Sequence, residues 1–275
     1  TYSLIHDDLP GMDHDDYRRG RLTNHKVFGE GFAILAGDGL LNYAYECILN
    51  NALAWGENTP GHIRAAQEIA RRAGVSGMVA GQSIDLLSEH REPNEATLQY
   101  IHTHKTADLL TAPLLAAAYI AGADEKAISA LETFGLCVGL AFQIDDDLLD
   151  VLGDAKDLGK QTGMDAQRGK QTWPAAFGVE RSRQDAGKAI EQAVQALSPF
   201  GERGAYLLEL ARKTRFRFSA IRRGSCARLP RRWPRERSKK QGEQPWGLFY
   251  WRLSITASFR RRRWRGPSRR ESRCC

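Results

Sequence analysis

Phe142-Gln143-Ile144-Asp145-Asp146-Asp147-Leu148-Leu149-Asp150 closes a long apolar stretch that begins at Lys126, and its spacing decides the fold. Gln143, Asp146, Asp147 and Asp150 stand at i, i+3, i+4 and i+7, which puts them on one face of a helix. Like charges at that spacing repel, and carboxylates at the end of an apolar helix are costly to bury without a counter-ion. A divalent cation removes the cost. All-oxygen ligation suits Mg²⁺, which keeps waters and shares substrate phosphates.

The same helical period runs outward from this stretch. Phe28, Phe32, Leu35, Leu40, Tyr43, Ala44 and Ile48 recur at spacings near three and four. Helices are expected over Ile63–Gly74, Met78–Leu87, Leu98–Ile120, Lys126–Leu152 and Ser182–Leu197, with Pro93-Asn94 as a start signal before Glu95. No alternating run with turn punctuation stands out, so no sheet is expected. The fold class that follows is all-α, a helical bundle with several helices buried on most faces. Thr1-Tyr2-Ser3-Leu4-Ile5-His6 reads as the last turns of a helix without a start signal, which predicts further helix upstream.

A second acidic run lies about 140 residues earlier. It is Asp7-Asp8-Leu9-Pro10-Gly11-Met12-Asp13, followed by His14-Asp15-Asp16-Tyr17-Arg18-Arg19-Gly20. Six residues on a regular helix would point Asp7 and Asp13 to nearly opposite faces, but Pro10-Gly11 breaks the helix and can return Asp13 to Asp7. One acidic run alone reads as solvated surface. Two, each continuing an apolar helix, point to a shared cation site. Arg18-Arg19 follow the first run, and Lys156, Lys160, Arg168 and Lys170 follow the second. Carboxylates for metal with guanidinium and ammonium groups for phosphate oxygens describe a diphosphate site.

Charge divides the chain in two. Residues 212–275 carry 22 Lys+Arg against 3 Asp+Glu, whereas residues 1–211 carry 18 against 30. The first part is therefore expected to be a folded acidic domain, and the second an arginine-rich tail, disordered or translated out of frame. That tail is not expected to bind nucleic acid. The five cysteines lack zinc-like spacing and read as buried free thiols in a reducing, cytoplasmic setting. No apolar run reads as long enough to cross a membrane.

These motifs resemble the trans-type polyprenyl diphosphate synthases. Ser3 through Gly20, then Thr23-Asn24-His25, Phe28-Gly29-Glu30 and Ala33-Ile34-Leu35-Ala36-Gly37-Asp38, look like the first aspartate-rich region of that family. Phe142 through Asp150 resembles the second. The resemblance covers residues 1 to about 211. It implies an isoprenoid synthase bundle around a central cavity, in a homodimer, with isopentenyl diphosphate and an allylic diphosphate as substrates. By the same resemblance Asp7, Asp13 and Asp146 would ligate Mg²⁺, with Asp8, Asp147 and Asp150 assisting. Arg18, Lys160 and Lys170 would hold the allylic diphosphate and Arg19 the isopentenyl diphosphate. Lys105, Thr106 and Gln143 would act beside the reacting carbon. Tyr2, five residues before Asp7, would set chain length and favours a C15 product of the bacterial farnesyl diphosphate synthase type, with C20 next. The family's upstream Gly-Lys-Arg-type segment and its conventional C-terminus have no counterpart here, and Leu22 stands where proline is common. Terpene cyclases and non-catalytic partner subunits share the fold. The former would usually lack Arg18-Arg19 and Lys105-Thr106, and the latter would be expected to lose aspartates.

Overall fold

A computed structural model describes residues 1–153 and 162–221, the side chains of Glu57 and residues 215–221 excepted. Among the described residues the chain is helical apart from one small hairpin, β1 (Tyr17–Arg18) against β2 (Arg21–Leu22). The expectation of no sheet is corrected to that extent. Arg19 and Gly20 form its turn with φ of 55° and 73°, the paired left-handed conformation that tight hairpins use.

The centre is α8 (Glu125–Leu152), capped at its start by Asp124, which accepts the Ala127 N–H at 2.8 Å. Two glycines let α7 (Asp108–Ile120) lie against it. A Cβ on Gly139 would stand 2.4 Å from the Ala107 Cβ, and one on Gly135 would stand 2.5 Å from the Thr111 hydroxyl. On its other side α8 buries Phe134, Val138 and Ala141 against Ala189, Ile190 and Ala193 of α11 (Val179–Ala196) and Ala211 of α12 (Ala205–Ile221). Removing the fully buried Phe134 ring would cost about 3–5 kcal/mol. Further along, Ile144 and Leu148 pack with Leu98 of α6 (Glu95–Ile101) and Trp173 of α10 (Trp173–Phe177). The start of α6 lies where Pro93-Asn94 predicts, with Asn94 accepting the Thr97 N–H.

The remaining helices complete the bundle. These are α1 (Tyr2–Asp7), α2 (Asn24–Phe28), α3 (Glu30–Ala54), α4 (Thr59–Ala73), α5 (Met78–Leu87) and the short α9 (Met164–Gln167). Three expectations need correction, and one apolar face is left uncovered. The predicted helix over Leu98–Ile120 is interrupted at His102–Ala107 by a π-helical turn, which inserts a wider loop of backbone. The periodic face of α2 and α3 is not buried, since Phe32 is 70% and Leu35 65% exposed. Cys47 is exposed, although its thiol is free as expected. Finally, α8 is long and apolar enough by length and composition to cross a membrane, contrary to the sequence reading. It lies between α7 and α11, as the core helix of a bundle does.

Candidate active site

The first acidic run leaves the end of α1 and turns back at Pro10-Gly11, so that the Asp13 N–H donates to the Asp7 carbonyl at 2.7 Å. The break in the helix thus returns Asp13 to Asp7. Asp8 is buried and accepts from the Arg18 guanidinium at 2.6 and 2.7 Å. Arg18 also reaches Asp15 at 3.7 Å and Asp7 at 4.0 Å.

Lys105 and Thr106 come from the π-helical turn, and each serves a different acidic run. The Lys105 Nζ stands 4.0 Å from Asp7 and donates to Asp85 of α5 at 2.6 Å. The Thr106 hydroxyl donates to the Gln143 Oε1 at 2.6 Å, and the Gln143 Nε2 donates to Asp147 at 3.0 Å. Two consecutive residues therefore tie the first aspartates to the second. Close packing makes this possible, because a Cβ on Gly81 of α5 would stand 2.2 Å from the Lys105 amide nitrogen.

The segment from Gly163 to Trp173 makes a second tie. The Asp165 N–H donates to Asp150 at 3.2 Å and the Trp173 N–H donates to Asp147 at 2.9 Å. Between them, Lys170 pairs with Asp13 and lies 3.6 Å from Asp85, while Arg168 lies 3.1 Å from Asp15 and 3.5 Å from Asp13. Asp147 also faces His102, whose Nε2 is 3.3 Å away.

Electrostatics follow from this crowding. Burial, with Asp13 adding to it, outweighs the nearby lysines and pushes Asp7 up to about 6. Burial acts on Asp13 in the same direction, but Lys105 and Lys170 outweigh it and hold that carboxyl below its usual range. Burial works to lower Lys105, yet Asp7 and Asp85 outweigh it and the ammonium is held above its usual range. Asp7 and Asp13 offer carboxylate oxygens, and the Asp7 carboxyl is under-compensated by the cations around it. That set fits a hard divalent cation.

The structure therefore gathers Asp7, Asp8, Asp13, Arg18, Lys105, Thr106, Gln143, Asp147, Asp150 and Lys170 into linked groups. Asp146 is half-buried on the turn that carries Asp147. Arg19 is not brought in, because it sits exposed at the hairpin turn. Lys160 and most of the arginine-rich tail lie outside the described residues. Tyr2 directs its hydroxyl at the Met78 sulfur, 3.8 Å away. Asp85 escaped the sequence reading, although an aspartate inside Ile84-Asp85-Leu86-Leu87 is itself a signal for a buried partner. His102 and the Trp173 amide had no such signal.

Comparison with known proteins places these observations. The polyprenyl synthetase family pattern matches residues 1–203. A dimethylallyltranstransferase of Fischerella ambigua (strain UTEX 1903) is 45% identical over 212 residues, covering 77% of this chain and 61% of that one. Geranylgeranyl pyrophosphate synthase 11, chloroplastic, of Arabidopsis thaliana is 45% identical over 217 residues, covering 77% and 60%. The chain thus spans about three fifths of the length of these curated relatives. Among solved structures, a Helicobacter pylori geranyltransferase complexed with magnesium and isoprenyl diphosphate superposes with a TM-score of 0.68 at 32% identity, covering 79% of this chain and 70% of that one. An FPP/GFPP synthase of Zymomonas mobilis gives 0.67 at 34% identity, covering 77% and 70%.

Proposed function

We propose, for a chain that belongs to the polyprenyl synthetase family, that this site joins isopentenyl diphosphate to an allylic diphosphate and releases a short-chain prenyl diphosphate. The observation that carries the reading is the reach of Lys105 and Thr106 to opposite acidic runs. Magnesium fits the donor set. Asp7, Asp13 and Asp146 would hold it, with Asp8, Asp147 and Asp150 behind them. When bound, such an ion supplies Lewis acidity toward diphosphate oxygens.

The chain's own residues account for the rest of the chemistry. Lys105, Lys170 and Arg18 present fixed positive charge to the departing diphosphate, so that the C–O bond breaks with its electron pair on the leaving oxygen. Thr106 is oriented by donating to Gln143, which leaves the hydroxyl lone pairs for the positive charge that develops on the allylic carbon. Gln143 is in turn held by Asp147. The isopentenyl double bond then attacks that carbon, and the released diphosphate accepts the proton lost from the adduct. No side-chain nucleophile takes part.

Tyr2 supports a C15 product. Its contact Met78 and the lysine anchor Asp85 are seven residues apart on one face of α5, about 10.5 Å, so the ring lies two helical turns below Lys105. A C20 product is the second reading, favoured by the geranylgeranyl synthases among the relatives. A homodimer is supported by the uncovered apolar face of α2 and α3, which another copy of the same face would bury. The test is product analysis of the chain with Mg²⁺, labelled isopentenyl diphosphate and geranyl diphosphate. Farnesyl diphosphate from the chain, its loss in Asp146→Ala, and longer products from Tyr2→Ala are expected. Activity unchanged in Asp146→Ala would overturn the assignment.

A further inference from the structure

Beside the first acidic run, His14, Asp16 and His25 each offer one ligand atom, and these atoms lie within 4.8 Å of one another. They come from two places, His14 and Asp16 from the loop before β1 and His25 from α2. His25 is only 7% exposed, and its Nε2 is buried without a hydrogen-bond partner. A buried orphan nitrogen is an unusual cost for a fold to carry.

The state of that nitrogen can be worked out. The Thr23 hydroxyl contacts the Asp15 carbonyl at 2.7 Å and the His25 Nδ1 at 3.1 Å. A hydroxyl has one proton, and a carbonyl oxygen can only accept. Thr23 must therefore donate to Asp15 and accept from an Nδ1–H. Neutral His25 is held in the Nδ1–H tautomer, with a bare lone pair on the orphan Nε2. Fixing a ring through its second nitrogen is how proteins prepare histidines for metals.

We propose that His14, Asp16 and His25 form a binding site for a first-row transition metal ion such as Zn²⁺, distinct from the carboxylates of Asp7, Asp13 and Asp146. Two imidazoles and one carboxylate favour such an ion over Mg²⁺, which prefers oxygen alone. Around a tetrahedral ion with bonds of about 2.1 Å, ligand atoms stand about 3.4 Å apart. Closing the set thus needs movement on the order of 1 Å, which the exposed His14 and Asp16 side chains allow. Lys26, now 2.9 Å from one oxygen of Asp16, leaves the other oxygen for the ion. Binding would fasten the loop that follows Asp13 to the start of α2. This proposal does not depend on the reaction proposed above.

The experiment titrates the untagged full chain with Co²⁺ in excess Mg²⁺ and reads the visible d–d absorption. One equivalent is expected to saturate an intense band. His14→Ala, at an exposed position, is expected to remove the band with the circular dichroism unchanged. Thr23→Val is expected to weaken binding about ten- to a hundredfold, because it releases the tautomer. Asp146→Ala is expected to keep the band. A band absent from the parent chain, retained in His14→Ala, or lost in Asp146→Ala overturns the proposal.

Discussion

Asp85 and Lys105 are joined by a 2.6 Å hydrogen bond from Nζ to Oδ2, and both groups are largely withdrawn from water. Lys170 stands 3.6 Å from the same carboxylate, so one buried aspartate anchors two cations. If Asp7 and Asp13 turn to a metal ion, Asp85 remains to hold both lysines.

Asp85→Asn should therefore lower unfolding free energy by about 3 kcal/mol, the usual cost of stripping one partner from a buried pair. Asp85→Glu should restore part of it. Urea denaturation reads this directly, and a loss below about 1 kcal/mol would mean that the lysines do not need the anchor.

Asp7 links stability to pH. Its folded pKa of about 6 lies above the ordinary 3.8. Between about pH 4 and 6 the folded chain keeps a proton that the unfolded chain has released. This contribution is full below pH 3.8 and is lost as pH rises through about 6, on the order of 2–3 kcal/mol. In metal-free buffer the chain should lose stability relative to Asp7→Asn over that window. A difference that stays flat with pH would count against it. Mg²⁺ competes with the same proton, so it should stabilise the chain more above pH 6 than below.

Asp146 and Asp147 are neighbours with different work. Asp147 accepts from Gln143 and from the Trp173 amide, so Asp147→Ala leaves a buried N–H without its partner. A loss of about 2–3 kcal/mol is expected, along with displacement of Trp173 from its core contact. Asp146→Ala should cost less stability and remove Mg²⁺-dependent activity. Equal melting temperatures for the two variants would refute the distinction.

Gly81→Ala tests the close approach of α5 to the π-helical turn. The added carbon meets backbone at 2.2 Å, which no side-chain rotation relieves. A loss of about 3 kcal/mol and a fall in activity through displaced Lys105 and Thr106 are expected. Gly187→Ala, where a Cβ would meet nothing within 4 Å, serves as the control.

The sequence made the fold class and both acidic runs legible because periodicity and charge repulsion act over a few residues. Gln143 and Asp147 are joined as helical spacing requires, and Pro10-Gly11 returns Asp13 to Asp7. What stayed hidden depends on contacts between distant segments. The Trp173 amide meets Asp147 across 26 residues, and a backbone N–H carries no mark in a sequence. The exposed face of α3 was not legible for a related reason, since periodicity shows that a face is apolar but not what covers it. Arg18 and Arg19 are adjacent in sequence, yet Arg18 pairs with Asp8 while Arg19 stands exposed at the hairpin turn.

The π-helical turn at His102–Ala107 also bears on which length changes this chain can tolerate. Deleting one residue there would close the widened turn into an ordinary α-helical one and shift Lys105 and Thr106 on the helix surface relative to α7. Lys105 and Thr106 could then not both keep their partners, however conservative the remaining residues were. Surface loops elsewhere can gain or lose residues at little cost. Within these six positions, length is constrained together with the identities of Lys105 and Thr106.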